Sequence, residues 1–183
     1  KGYWIKGLWF VDCWLGEIRL IEGKVLIIVS KYYKNISENL LKSATIFLKD
    51  KFISYDIIQV PGALEIPQAL NLQVNLNKNK EFLYEGYIAL GCVIKGETYH
   101  FEIVSNESSR ALTDLSLNYS IPIGNGILTV LNKDQAIKRS DPMQSNKGAD
   151  AALACLSLIN IKNSKEYEWF RFNNKRKFKT CFN

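Results

Sequence analysis

The hydrophobic pattern of this chain switches repeatedly between strand-like and helix-like periods, and this alternation restricts its fold class most. Residues 25–29, Val-Leu-Ile-Ile-Val, form the uninterrupted aliphatic run expected of a strand covered on both faces. The segment that follows, residues 35–48, has helical periodicity, with Asn35 or Ser37 as the expected N-cap. Its apolar face comprises Leu40, Leu41, Ala44 and Phe47. A strand followed directly by an amphipathic helix indicates a layered α/β domain.

The same alternation continues along the chain. Further strands are predicted at 53–60, 87–94 and 121–131, and further helices at 63–72, 101–118, 133–139 and 147–161. We therefore predict a three-layer α/β/α fold with a central four-stranded parallel sheet and flavodoxin-like topology. The domain is expected to span residues 16–162, after an irregular N-terminal extension (1–15) and before a basic, aromatic C-terminal tail (163–183).

Length and charge limit the functions open to the chain. Its 183 residues, 47% of them hydrophobic, suffice for one domain with a sizeable core. The formal net charge of +6 suits anionic small molecules. Because the Lys and Arg residues are scattered and form no stripe, we do not expect nucleic-acid binding.

The cysteines and apolar segments argue against metal and membrane chemistry. The four cysteines are far apart in sequence, form no C-x-x-C pair and are accompanied by one histidine, so neither a metal site nor a disulfide framework is expected. No apolar run approaches the length that spans a bilayer, and no clear signal-peptide layout is present. These features predict a cytoplasmic protein.

Ligands of parallel α/β sheets bind beyond the carboxyl ends of the strands, so the segments after each strand are the most informative. Four of them carry unusual polar or aromatic residues: 30–33, 61–65, 95–100 and the stretch around Asn132. Residues 91–98 have the glycine spacing of a P-loop, but Glu97 stands where the phosphate-binding Lys is required. Nucleotide hydrolysis is therefore disfavoured, whereas a glycine-bearing turn that opens a helix can still hold one phosphate.

His100, the single histidine, lies at the mouth of this turn. An imidazole is the side chain best suited to proton transfer near neutral pH, and its place beside an anion site favours a functional role. The alternative is a structural residue that caps the helix beginning at Phe101.

Several ordered blocks of the sequence resemble the lumazine synthase family. The blocks are residues 60–67 (VPGALEIP), 89–101 (ALGCVIKGETYHF), 125–129 (NGILT), 134–139 (DQAIKR) and 146–148 (NKG). They follow the family's order and spacing, and the resemblance extends over residues 17–161.

The resemblance implies a condensation of a ribitylamino-pyrimidinedione with a four-carbon keto phosphate, without metal or cofactor. It makes His100 the proton-transfer residue and Arg139 the residue that holds the phosphate, completed by the turn at Glu97 and Thr98. An arginine fork suits phosphate oxygens because it donates two charge-assisted hydrogen bonds. Read without the resemblance, Arg139 is a solvated charge at a helix end.

For the pyrimidinedione, the resemblance implies that Tyr32 stacks on the ring. The other residues it places around the ring and ribityl chain are Ala63, Leu64, Glu65, Cys92, Val93, Ile94, Asn125 and Lys147, with Asp150 less firmly matched. Cys92 would contribute backbone groups and an inert thiol. Two departures from the family pattern stand out: Asn125 occupies a position where some members have Phe, and Tyr33 replaces a small polar residue.

The resemblance also implies an assembly. Family members form pentamers whose sites lie between adjacent subunits, with His100 and Tyr32 from one chain and Asn125, Arg139 and Lys147 from the next. Decamers or larger shells are a further possibility. Pro142 restricts the backbone of the linker before the last helix, and so leaves the choice between a pentamer and a larger shell open. Riboflavin synthase is the implied protein partner.

Two alternatives from other classes remain. A non-catalytic shell-forming or flavin-binding relative would keep the fold without the reaction, and the presence of His100, Arg139 and Lys147 together argues against it. A flavodoxin-like electron carrier would need a loop rich in Ser and Thr after the first strand, whereas residues 30–34 read Ser-Lys-Tyr-Tyr-Lys.

Overall fold

Strands and helices alternate from residue 24 onward in the computed structural model, which describes residues 3–5, 8–10, 23–77 and 84–164. The strands are β1 (Tyr3–Ile5), β2 (Leu8–Phe10), β3 (Lys24–Ser30), β4 (Tyr55–Val60), β5 (Tyr84–Ile94) and β6 (Ile123–Val130). The helices are α1 (Lys34–Asp50), α2 (Glu65–Asn77), α3 (His100–Tyr119), α4 (Lys133–Ser140) and α5 (Lys147–Asn163).

The four long strands form one parallel sheet in the order β4-β3-β5-β6. Within this sheet the chain runs first through β3, then through its outer neighbour β4, and then crosses back to β5 on the other side of β3. This reversal beside the first strand of the sheet is the flavodoxin-like order, and it opens a crevice at the carboxyl ends of β3 and β5. The predicted α/β/α fold with four parallel strands is confirmed.

Alternate residues of β3 pack into the two different cores that separate the three layers. Val25, Ile27 and Val29 contact the core formed with α1, α4 and α5. Leu26 and Ile28 contact the core formed with α2 and α3. Because both faces of β3 are covered, every position of the run must be apolar, which explains its unbroken aliphatic sequence.

Glycines let α5 approach both the sheet and α1. A Cβ added at Gly124 of β6 would collide with the carbonyl oxygen of Ala151, and one added at Gly148 would collide with that of Leu40 in α1. The missing side chains therefore set how closely α5 packs, and Gly148 fixes the first turn of this helix against α1.

The structure corrects the predicted cap of α1. The helix begins at Lys34 after Tyr33, which makes no side-chain cap bond, so neither Asn35 nor Ser37 is the N-cap. The hydroxyl of Ser37 is buried and donates a hydrogen bond to the carbonyl of Ser30, at the end of β3. This bond joins the first turn of α1 to the end of β3.

Both termini differ from the central domain. β1 and β2 pair antiparallel within the segment expected to be irregular. α5 ends at Asn163, and residues 165–183 of the predicted tail lie outside the described residues. No helix in the described ranges is long and apolar enough to cross a membrane.

Candidate active site

The segments after the four parallel strands emerge along one edge of the sheet. The backbone N–H of Lys31 donates to the carbonyl of Val60 at 2.9 Å, which joins the ends of β3 and β4. The N–H of Lys95 donates to the carbonyl of Val130 at 2.9 Å, which joins the ends of β5 and β6. The loops after the strands therefore start from strand ends that are hydrogen-bonded to each other. We call this backbone platform, the carboxyl ends of β3, β4, β5 and β6, the carboxyl edge.

Tyr32 stands on this edge with 73% of its surface exposed. The Tyr32 and Tyr33 rings meet edge to face, with centroids 4.9 Å apart and planes inclined by 73°. Tyr33 packs against the core beneath. The larger residue at position 33 thus buttresses Tyr32 and leaves it available for stacking.

The loop after β4 contributes a carboxylate close to its backbone. A Cβ added at Gly62 would come within 2.7 Å of Oε2 of Glu65, so the glycine makes room for this side chain. Glu65 is the first residue of α2, where a negative charge is favoured by the helix dipole. Ala63 is buried and Leu64 half-buried beside it. In the described part of the chain, Glu65 has no hydrogen-bond or ion-pair partner, so its carboxylate can accept hydrogen bonds from a ligand.

The end of β5 forms an apolar floor. Cys92 and Val93 are buried and Ile94 is half-buried. Burial raises the pKa of the Cys92 thiol to about 12. The pKa of Tyr33 is raised mainly by burial and, to a smaller extent, by electrostatic repulsion from Tyr32 and Cys92. The Cys92 thiol is thus a neighbour of the tyrosine pair. A neutral, buried thiol is a poor nucleophile, in line with the inert role expected for Cys92.

Residues 95–100 form the predicted turn, and Glu97, Thr98 and His100 are all exposed on it. His100 is the first residue of α3, and the preceding Tyr99 makes no side-chain cap bond. The helix amides that face the turn are therefore open to an anion. Among residues 23–77 and 84–164, none makes a hydrogen bond or ion pair with the side chain of Glu97, Thr98 or His100.

An ion pair that the sequence analysis missed spans this turn. Nζ of Lys95 lies 3.8 Å from Oε1 of Glu102 in the first turn of α3. Both groups are partly exposed, so the pair is weak. Lys95 precedes α3, so the pair forms across the turn and not along one helix face, which is why sequence periodicity did not reveal it.

Asn125 lies on β6, an edge strand of the sheet, and is exposed. Its Oδ1 accepts a hydrogen bond from the N–H of Ile127 at 3.0 Å. The oxygen thus satisfies a backbone donor of the edge strand, and the amide NH₂ is the group that remains for a ligand.

Arg139 and Lys147 lie on α4 and α5, the two helices that follow β6 in the chain. Arg139 is exposed in the last turn of α4, and the described residues provide no partner for its guanidinium. Nζ of Lys147 lies 2.7 Å from Oδ2 of Asp150. No hydrogen bond or ion pair within the described ranges links these two cations to Tyr32, Glu65 or His100. The structure thus places Tyr32, Glu65 and His100 at the ends of β3, β4 and β5, and Arg139 and Lys147 on the two helices that follow β6.

Among the described residues, no three His, Cys, Asp or Glu side chains gather in a group that could hold a metal ion. Cys92 and Cys155 are buried free thiols, and Cys13 and Cys181 lie outside the described residues.

Comparison with known proteins identifies the family. The family model described as 6,7-dimethyl-8-ribityllumazine synthase matches residues 22–163. The chain belongs to the 6,7-dimethyl-8-ribityllumazine synthase family. This membership confirms the family and the enzyme class that the sequence predicted. The match covers β3 to α5 and leaves residues 1–21 and 164–183 outside it.

Curated relatives with the lumazine synthase name extend over most of this chain. The protein of Bartonella bacilliformis is 50% identical over 142 residues, which are 78% of this chain and 91% of that protein. The protein of Agrobacterium fabrum is 49% identical over 138 residues, which are 75% of this chain and 93% of that protein. That of Azorhizobium caulinodans is 48% identical over 140 residues, which are 76% and 86% of the two chains.

Proposed function

We propose that the carboxyl edge condenses 5-amino-6-(D-ribitylamino)uracil with 3,4-dihydroxy-2-butanone 4-phosphate to give 6,7-dimethyl-8-ribityllumazine, phosphate and water. The observation that carries this proposal is the set of polar and aromatic groups at the carboxyl edge that have no hydrogen-bond or ion-pair partner among the described residues: the exposed Tyr32 ring, the half-buried Glu65 carboxylate and the exposed His100 imidazole. These are the groups needed to stack a heteroaromatic ring, accept hydrogen bonds from a polyol and move protons.

The pyrimidinedione binds between Tyr32 and the end of β5. Tyr32 stacks on the ring, while backbone groups of Cys92, Val93 and Ile94 hydrogen-bond its polar edge. Ala63 and Leu64 line the pocket, and Glu65 accepts hydrogen bonds from ribityl hydroxyls. Asn125 and Lys147 of a neighbouring chain close the other side.

The keto phosphate binds at the start of α3. Backbone amides of the turn at Glu97 and Thr98 donate to the phosphate oxygens, and the helix dipole favours the anion. Because the Glu97 side chain is itself negative, its contribution is the backbone, while the Thr98 hydroxyl adds a donor. Arg139 of the neighbouring chain supplies the positive charge.

The reaction proceeds by positioning and proton transfer. The pyrimidinedione amine attacks the ketone carbon, and loss of water from the adduct gives an imine. Removal of a proton from the adjacent carbon allows the C–O bond to phosphate to break, and Arg139 stabilises the departing anion. The enol that results takes up a proton at its terminal carbon and becomes a ketone. The ribitylamino nitrogen attacks this new carbonyl, and loss of a second water closes the ring. His100 accepts and returns the protons at an imidazole nitrogen, and the platform holds both reactants in contact.

The site is proposed to be shared between adjacent chains of a homopentamer or a larger assembly. One observation supports this: exposed leucines lie on the outer side of the domain. Leu72 and Leu76 of α2 and Leu117 of α3 are each more than 60% exposed. Apolar side chains on an outer surface are typical of subunit interfaces. We further propose a cytoplasmic location, with riboflavin synthase as the protein that takes up the product.

The test is direct. Purified protein is mixed with both substrates, and lumazine fluorescence and released phosphate are recorded together. Equal amounts of lumazine and phosphate are expected. A folded, assembled protein that forms neither product contradicts the proposal, and supports the alternative of a non-catalytic relative.

A further inference from the structure

The six residues between α4 and α5, residues 141–146, form a densely hydrogen-bonded connection. The backbone of Asp141 links its two ends. The N–H of Asp141 donates to the carbonyl of Ile137 in α4 at 3.0 Å. The carbonyl of Asp141 accepts from the N–H groups of Gln144 and Asn146, each at 3.1 Å. One residue thus contacts both the last turn of α4 and the residue that precedes α5.

The side chain of Asp141 holds the middle of the connection. Its Oδ1 accepts from the N–H of Met143 at 2.8 Å, and its Oδ2 accepts from Nε2 of Gln144 at 2.7 Å. The Gln144 hydrogen bond, and then that of Met143, hold the pKa of this carboxyl below its usual range. Both oxygens are occupied, and no ion pair joins Asp141 to Arg139 among the described residues. The guanidinium two residues away is therefore left free for a ligand.

The connection ends at a constrained residue. Asn146 has φ 46° and ψ 43°, the left-handed conformation that non-glycine residues adopt at a cost. Its carbonyl accepts from the N–H groups of Ala149 and Asp150 in the first turn of α5. The Asn146 N–H donates to the backbone carbonyl of Asp141, and the Asp141 side chain holds Met143 and Gln144, two of the residues between them.

Arg139 and Lys147 lie immediately outside this network, one on each side. We propose that Asp141 is a positioning residue that holds Arg139 and Lys147 at a fixed separation and direction. In the proposed function, on which this inference rests, both cations enter the site of a neighbouring chain. A fixed spacing lets one chain present the two charges together, without ordering either side chain separately on binding.

Steady-state kinetics of Asp141→Ala test this role. The substitution removes both side-chain hydrogen bonds and leaves Arg139 and Lys147 in place. We expect the KM for the keto phosphate to rise about tenfold, and the inhibition constant of inorganic phosphate to rise in parallel, because the arginine is no longer directed. The KM for the pyrimidinedione should rise less, since most of its proposed contacts lie on the other chain.

Two matched variants separate positioning from general damage to the loop. Asp141→Asn should restore a nearly wild-type KM, because its Oδ1 accepts from Met143 and Gln144 can turn its amide to accept from the new NH₂. Met143→Ala keeps the backbone donor and removes only a side chain that is 90% exposed, so it should match the wild type. Native mass and thermal midpoint are measured for each variant.

The outcomes decide the proposal. An assembled Asp141→Ala protein with wild-type KM values for both substrates overturns it, as does an equal rise in both KM values. If Asp141→Ala does not assemble, Gln144→Ala, which removes one of the two side-chain bonds, decides instead: a raised keto-phosphate KM supports the role, and a wild-type value overturns it. A wild-type protein that makes no lumazine contradicts the proposed function itself, so the two failures are distinguishable.

Discussion

Polar side chains at the two ends of the parallel sheet differ in whether they have hydrogen-bond partners within the chain. At the amino ends of the strands, polar groups are paired with each other. Asp56 accepts from Nζ of Lys24 at 3.3 Å and from the Tyr84 hydroxyl at 3.1 Å. Glu85 accepts from the N–H of Gly23 at 2.8 Å and from Nδ2 of Asn163 at 3.2 Å. At the carboxyl edge, by contrast, the side chains of Glu65 and His100 have no polar partner within the described residues.

This difference separates stability from binding. A polar group whose hydrogen bonds are satisfied within the chain contributes to folding and offers little to a ligand. An exposed group without a protein partner contributes little to folding and keeps its hydrogen-bonding capacity. Substitutions at the amino ends should therefore change stability alone, and substitutions in the proposed site should change catalysis alone.

The largest catalytic effect is expected for Arg139→Ala. Loss of its charge-assisted hydrogen bonds to phosphate should lower kcat/KM for the keto phosphate about a hundredfold, with little change in thermal stability. Lys138→Ala, which removes an exposed cation from the same helix turn, is the matched control and should behave as the wild type. Steady-state kinetics at varied keto phosphate check this, and an unchanged keto-phosphate dependence in Arg139→Ala counts against the assignment.

A smaller catalytic effect is expected for His100→Ala. The platform would still hold both reactants, so kcat should fall roughly tenfold through the loss of proton transfer. The KM for either substrate should change little. Single-turnover measurements at saturating substrates isolate this step, and a wild-type rate would remove His100 from the mechanism.

Tyr84→Phe tests the amino ends of the strands. Burial, and then the hydrogen bond with Asp56, raise the pKa of Tyr84 from its ordinary 10.0 to about 12. The folded pKa of Tyr84 lies above the unfolded one, so the neutral phenol stabilises the folded state. This stabilisation is complete below pH 10 and is lost as the pH rises toward about 12. The variant should lose about 1 kcal/mol at neutral pH through the missing hydrogen bond, and should show a weaker decline above pH 10.

Chemical denaturation between pH 7 and 12 measures both effects of Tyr84→Phe. Its kcat at neutral pH should equal that of the wild type. A variant with wild-type stability but reduced turnover would reverse the proposed division between the two ends of the sheet.

The smallest effect is expected for Cys92→Ala. This side chain lies at the carboxyl edge but is buried and neutral, so the comparison predicts no catalytic role for the thiol. Turnover should stay within about twofold of the wild type, because the backbone groups are retained. Loss of all activity in a folded, assembled variant would instead indicate a nucleophilic cysteine.

The order of strands and helices could be predicted because each element carries its own period. The aliphatic run at 25–29 and the face of Leu40 and Ala44 specify buried surfaces locally. The predicted N-cap of α1 was wrong because the helix begins at Lys34, before both candidates. Ser37 instead bonds to Ser30, seven residues away, a contact that a local pattern does not reveal. Hydrogen bonds that join one element to the next are not visible in the periodicity of the sequence.

The candidate site was predictable only in part, for a related reason. The resemblance supplied His100, Arg139 and Tyr32, and their roles stay predictions. The support of Tyr32 by Tyr33, the Lys95–Glu102 ion pair and the contacts of Asp141 depend on how turns fold. Those contacts became visible only with the backbone in place.

Co-assembly of two inactive variants tests the central claim, a site shared between chains, most directly. One variant carries Tyr32→Ala and His100→Ala, and the other carries Arg139→Ala and Lys147→Ala. If each site takes its two groups from different chains, a randomly mixed assembly regains about a quarter of the wild-type activity, because that share of interfaces joins two intact groups. If all four residues act within one chain, no intact site can form, and a mixed assembly that stays as inactive as its parents would contradict the account.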